Sequence, residues 1–162
     1  VVLGSFSSRV IDGIDGLAGG VMAILFGAYG IIALLNNQIA LATLGLVIAG
    51  GILAFLWSNV PPAKFYMGET GMLGLTLTLA VMAFLTDQVL LLPIMGAVLV
   101  ATSLSSAIQI SSKKYFKRKV FLVAPLHWHF HSLGWKRETI VMRYWILTLM
   151  LAFLGIVLAL VG

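Results

Sequence analysis

Five apolar runs, each close to the length that a helix needs to cross a bilayer, constrain this chain more than any other feature. Residues 16–35, 39–57, 71–86, 89–110 and 139–161 are nearly unbroken in hydrophobicity, and an α-helix needs about 20 such residues to cross a hydrocarbon core about 30 Å thick. Backbone that crosses lipid must satisfy its own N–H and C=O groups, so runs of this length read as helices. The first three breaks between them are brief: Asn36 to Gln38, then Ser58 and Asn59 followed by Pro61 and Pro62, then Asp87 and Gln88. Proline cannot continue a helix, which fixes the second break. The third run is short and takes its first turn from the MGETG stretch at 67–71. The expected architecture is all-α: a single polytopic membrane domain over 1–162 with about five transmembrane helices. A composition that is 61% hydrophobic and 9% charged, with mean hydropathy +1.11, excludes a soluble globular domain. Cysteine is absent, which excludes disulfides and thiolate metal sites. No basic segment leading into a short apolar run opens the chain, so no signal peptide is expected, and the abrupt start at Val1-Val2-Leu3 reads as that of a fragment.

The one long polar interruption, 111–138, precedes the last run. It carries seven of the ten Lys and Arg residues and all three His. Arg9, Lys64, this cluster and Arg143 all fall at one set of alternating helix ends. By the positive-inside rule the N-terminus, the Lys64 loop and the basic loop are cytoplasmic, and the C-terminus is outside. Three loops distant in sequence then bring Asp12, Asp15, Asn59, Glu69, His127 and His129 to one membrane face, where the surrounding cations favour chemistry on a phosphate.

Each candidate has a sharper and a plainer reading. Asp12 and Asp15 stand three apart, so a helix extended back through them puts both carboxylates on one face, able to hold a divalent cation or a cationic group. The plainer reading is a pair of interfacial acids favoured by the helix dipole. Asn59 and Glu69 bracket a Pro-containing loop that can fold back on the same face, with Asn59 as amide donor or acceptor and Glu69 as carboxylate ligand or base. Otherwise Glu69 is a solvated loop residue. His127, His129 and His131 alternate with Trp128 and Phe130. Without Cys or a nearby acid a closed zinc site is poorly supported. Histidine facing a phosphate, as hydrogen-bond donor or general acid, fits the cationic surroundings better, and an interfacial aromatic cluster is the alternative. The segment 113–119, Lys119 included, reads as a juxtamembrane polybasic stretch drawn to anionic headgroups at roughly 1 kcal/mol per cation, and also as a patch that concentrates phosphorylated substrates. Arg143 reads as a snorkelling anchor.

Several stretches carry a resemblance: DGIDGLAGG at 12–20, then FLWSN, PPA and FYMGETG between 55 and 71. APLHWHF at 124–130, GW at 134–135 and IVMRYWI at 140–146 follow. In this order they resemble the phospho-N-acetylmuramoyl-pentapeptide transferases, the MraY family of the polyprenyl-phosphate N-acetylhexosamine-1-phosphate transferase superfamily, and specifically the C-terminal half of such an enzyme. The resemblance implies transfer of phospho-MurNAc-pentapeptide from its UDP-activated donor to undecaprenyl phosphate, giving lipid I and UMP, with Mg²⁺. It also implies a multi-pass protein of the bacterial inner membrane with a cytoplasmic active face. The partners are then undecaprenyl phosphate, UDP-MurNAc-pentapeptide, the lipid bilayer and a second copy in a homodimer, with no nucleic acid. Carried over by position, Asp12, Asp15, His127 and His129 are catalytic, Asn59, Lys119 and His131 bind substrate, and Glu69 stands at the family's magnesium ligand. Trp128 replaces the middle His of a HHH motif, His131 stands where Glu is usual, and Glu69 is one methylene longer than the family's Asp. The family's adjacent Asp pair belongs to the N-terminal half, so this chain alone is expected to be inactive. A GlcNAc-1-phosphate transferase and a non-catalytic lipid-binding scaffold are the alternatives.

Overall fold

The computed structural model describes residues 13–161, and among these it is helical with no strand. In chain order the helices are α1 (Leu17–Leu35), α2 (Ile39–Asn59), α3 (Gly68–Leu85), α4 (Leu91–Met95), α5 (Ala97–Tyr115), α6 (Leu126–Ser132) and α7 (Arg137–Val161). Four of them, α1, α2, α3 and α7, are long and apolar enough to cross a membrane. Helices of this kind make it a multi-pass membrane protein.

The bundle is built around α1, which packs against α2, α7 and α3. A helix that is apolar all round suits a central place, and most of α1 is covered by its neighbours: Leu17, Val21, Phe26, Tyr29 and Ile32 are all fully buried. The outer helices show the reverse pattern, turning Val47, Leu53, Phe84 and Phe153 outward, as a surface that faces lipid chains requires. Between α1 and α2 the spacing is set by glycine, because a Cβ on Gly45 would sit 3.1 Å from the Gly30 Cα and 3.1 Å from the Phe26 carbonyl oxygen. Such close approach of backbones is how membrane helices gain packing without a hydrophobic driving force. The hairpin closes through Asn37, at φ +57°, and the Gln38 N–H, which donates to the Ala33 carbonyl.

The run at 89–110, expected as one span, takes another form. It divides at Gly96 into the short α4 and the long α5, and α5 continues to Tyr115, five residues past the expected end. The two pieces nearly join end to end, with the Gly96 N–H donating to Leu92 and the Val100 N–H to Gly96. Helix α5 carries Thr102, Ser103, Ser105, Ser106 and Gln109 as buried polar residues and ends on Lys113 and Lys114, and it falls outside the four helices that are apolar enough to cross.

Candidate active site at the head of the central helix

The turn before α1 is the hinge of the site. Gly16 sits at φ +78°, a left-handed conformation that glycine adopts without steric penalty. Its N–H donates to Asn59 Oδ1 at 3.0 Å, and its carbonyl accepts from Trp145 Nε1 at 3.2 Å. One residue thereby ties α1 to the end of α2 and to α7. The Trp145 indole can lie here only because position 20 is glycine, as any Cβ there would overlap the ring.

Asn59 is 2% exposed. Its Nδ2 donates to the Phe65 carbonyl at 2.9 Å, so each end of the amide helps to hold the 60–67 loop against the 13–16 turn, and Asn59 has a positional role here. Asp15 is half-buried and one carboxylate oxygen accepts from the Ala63 N–H at 3.3 Å, a second tie between the same two segments. Asp12, the other half of the acidic pair, lies outside the described residues, as does Arg9.

The His-bearing helix α6 closes the site from the other side. A Cβ on Gly13 would stand 2.9 Å from His127 Nε2 and 3.1 Å from Trp128 Nε1, so the DGIDG turn presses directly on these rings. His127 is fully buried, and among the described residues neither ring nitrogen has a hydrogen-bond partner. Burial disfavours the imidazolium and lowers its pKa to about 4. The ring is therefore neutral near pH 7, a donor at one nitrogen and an acceptor at the other. His129 Nδ1 is likewise buried without a partner, and Phe121 meets the His129 ring edge-on at 5.6 Å. His131 is differently placed. Its Nδ1 lies 3.0 Å from the Trp135 carbonyl, an acceptor that requires the N–H on Nδ1 and leaves only Nε2 for a ligand.

The remaining candidates are exposed. Glu69 is exposed in the first turn of α3, where the helix dipole favours a carboxylate. Lys119 is exposed on the 116–125 loop. Among the described residues no group of three or more His, Asp or Glu is gathered to hold a metal ion. Two features are additions to the sequence reading. Phe130, Trp135 and Arg143 form a layered stack, with the rings 4.8 Å apart and the guanidinium 3.9 Å above Trp135. Arg143 caps this aromatic pair. The second is the polar side of α5, whose side chains hold the basic loop; its spacing at 102, 105, 109 and 112 marks one helix face and was readable in advance.

The glycosyl transferase family 4 model matches residues 7–87, half of the chain. The chain belongs to glycosyl transferase family 4. Curated relatives of this family 4 chain include the phospho-N-acetylmuramoyl-pentapeptide-transferase of Bacillus mycoides (strain KBAB4), 42% identical over 153 residues, covering 94% of this chain and 47% of that protein. The enzyme of the same name from Caldanaerobacter subterraneus subsp. tengcongensis is 37% identical over 156 residues, 96% of this chain and 49% of its own length. That of Geobacillus kaustophilus (strain HTA426) is 42% identical over 156 residues, 96% and 48%. The chain spans about half the length of the curated relatives it matches. The matched stretch of the family 4 model contains the DGIDG turn, Asn59 and Glu69, and the similarity to the three transferases extends it over nearly all of the chain.

Proposed function

We propose that this chain is the C-terminal half of a phospho-N-acetylmuramoyl-pentapeptide transferase that works at the cytoplasmic face of a bacterial inner membrane. The reaction joins an oxygen of undecaprenyl phosphate to the sugar-bearing phosphorus of UDP-MurNAc-pentapeptide, and the bridging oxygen leaves with UMP. The observation that carries the reading is the meeting of three motif segments at one end of the bundle, with Gly16 bonded to Asn59 and Gly13 pressed on His127, in a chain of this family.

Within that site the chain's residues divide the work. Asn59 and Trp145 hold the DGIDG turn, and Asp15 keeps one carboxylate oxygen clear of the Ala63 N–H. His127 and His129, with unpartnered nitrogens, are poised to bond phosphate oxygens as N–H donors. The cations at 113–119 raise the local concentration of anionic substrates. Mg²⁺ is hard and is usually held by one or two carboxylates together with waters and substrate phosphates. Asp15 and Glu69 are of that chemistry, and the absence of a fuller donor cluster among the described residues leaves the other ligands to the substrate and to residues beyond these. When bound, the ion would neutralise charge that develops on the transferred phosphate.

The test is a chimera that joins the N-terminal half of the Bacillus mycoides relative to residues 1–162. UMP release that needs both UDP-MurNAc-pentapeptide and undecaprenyl phosphate, and that Asp15→Asn abolishes, is the expected result. Release from UDP-GlcNAc instead would assign the sister activity, and no release from either donor by a folded chimera would overturn the reading.

A further inference from the structure

The polar side of α5 has a place in no motif, yet it touches the site at two points. Gln109 is 5% exposed. Its Oε1 accepts from the Val120 N–H at 3.1 Å and the Phe121 N–H at 3.0 Å, while its Nε2 donates to the Phe121 carbonyl at 2.9 Å. One turn earlier, Ser105 Oγ accepts from the Leu126 N–H at 3.0 Å and donates to the Thr102 carbonyl at 2.6 Å. One turn later, Ser112 Oγ donates to the Arg118 carbonyl at 2.8 Å. The spacing 105, 109, 112 puts all three on one helix face, so the backbone at 118, 120–121 and 126 is bonded to a single helix.

Both anchored ends lead to histidine. Phe121, held at its N–H and its carbonyl by Gln109, lays its ring against the edge of His129. Leu126, held by Ser105, is the residue before His127. A buried glutamine that satisfies three backbone groups in a loop of exposed residues has a specific use, because apolar packing alone would not set the register of that loop. We propose that Gln109, with Ser105, is a positioning residue that sets the rings of His127 and His129 for the reaction put forward above. It acts through the backbone of the basic loop and touches no substrate itself. The activity arm of the test rests on that reading; the spectroscopic arm stands without it.

The chain has three histidines, all on α6, so selective ¹³C labelling of His gives three ring Cε1–Hε1 signals. The full chain is compared with Gln109→Leu, which removes all three bonds, Gln109→Glu, which keeps the acceptor pair and loses the donor, and Ser105→Ala. The Trp145 indole N–H signal, fixed by the Gly16 carbonyl, reports whether the bundle end is intact. The expected result is that Gln109→Leu moves or broadens the His129 signal, Gln109→Glu moves it less, and Ser105→Ala acts mainly on His127, all with Trp145 unmoved. In the chimera, Gln109→Leu then lowers kcat by about tenfold or more with the donor KM nearly unchanged, as expected of displaced reacting groups, and Gln109→Glu recovers part of it. Histidine signals that stay at parental positions in Gln109→Leu overturn the proposal, as does a displaced Trp145 signal, which would make Gln109 a general fold residue. Should Gln109→Leu fail to fold, Gln109→Glu decides by the same His129 signal. A chimera that is inactive in its parental form overturns the transferase reading alone.

Discussion

Replacing Asn59 tests the joint between the first two helices. In Asn59→Leu the branching of the side chain is kept, but the Gly16 N–H and the Phe65 carbonyl lose their partners. Each hydrogen bond contributes about 0.5–1.5 kcal/mol net, and a buried donor left unmatched costs about 1–3 kcal/mol. The Gly16 N–H is buried while the Phe65 end is only partly so, so the loss should come to roughly 2–4 kcal/mol, mostly from the Gly16 side. Asn59→Asp should not restore it: one carboxylate oxygen can still accept from Gly16, but the other faces the Phe65 carbonyl with no proton to donate. Stability is read by unfolding the purified chain in mixed micelles with increasing denaturing detergent, and the local effect by hydrogen exchange of the Gly16 amide. The half-exposed neighbour Ser58→Ala serves as control. An Asn59→Leu chain within about 0.5 kcal/mol of the parent, with the Gly16 amide still protected, would refute the account of this joint.

Four more outcomes are expected. The pKa of His127 is lowered to about 4, so between that value and its ordinary 6.5 the unfolded chain binds a proton that the folded chain does not; stability is full above pH 6.5, falls by roughly 3 kcal/mol as pH drops, and levels off below about 4. His127→Leu should flatten that slope in the same detergent titration. Gly20→Ala should drive the Trp145 indole off α1, at about 1–3 kcal/mol, seen as a changed Trp145 emission in a background where the other three tryptophans are phenylalanine. In the chimera, Glu69→Asp should weaken Mg²⁺ use and Glu69→Gln more so; parental metal dependence in Glu69→Gln would return Glu69 to a solvated loop residue. A reporter fused after Lys117 should read cytoplasmic and one after Gly162 external, and both on one side would mean that α7 does not complete a crossing.

The membrane class and four of the long helices were plain in the sequence because length and hydropathy alone decide them. The central place of α1 was not, since all the runs are apolar and nothing in a lone run says whether neighbours or lipid will cover it. Only Gly30 and Gly45, read as a pair, hinted at the tight α1–α2 joint. The division at Gly96 was hidden by the same feature that made 89–110 look like a span: its Leu and Val outweigh Thr102, Ser105 and Gln109 in any average. Their periodicity carried the information. At the site, the motif segments could be brought to one end by charge and topology, but the partner of each polar atom is a matter of a few tenths of an ångström. Asn59 looked like a free amide because sequence does not tell a spent hydrogen-bond group from an available one.

That distinction decides what a ligand would meet here. Gly16 has given its N–H and its carbonyl, Asn59 has given both sides of its amide, and His131 has given Nδ1. Asp15 retains one oxygen without a bond among the described residues, His127 retains both nitrogens and His129 its Nδ1. Buried polar atoms without partners are costly and rare in a settled fold, and His127, which leaves two of them, stands against Gly13 in the turn that Asn59 holds. Filling that space with an apolar neighbour would leave their cost in place, whereas a phosphate offers several acceptor oxygens to histidine N–H donors. The pattern of used and unused hydrogen-bonding groups thus points to the same ligand chemistry as the basic loop, by an argument in which net charge has no part.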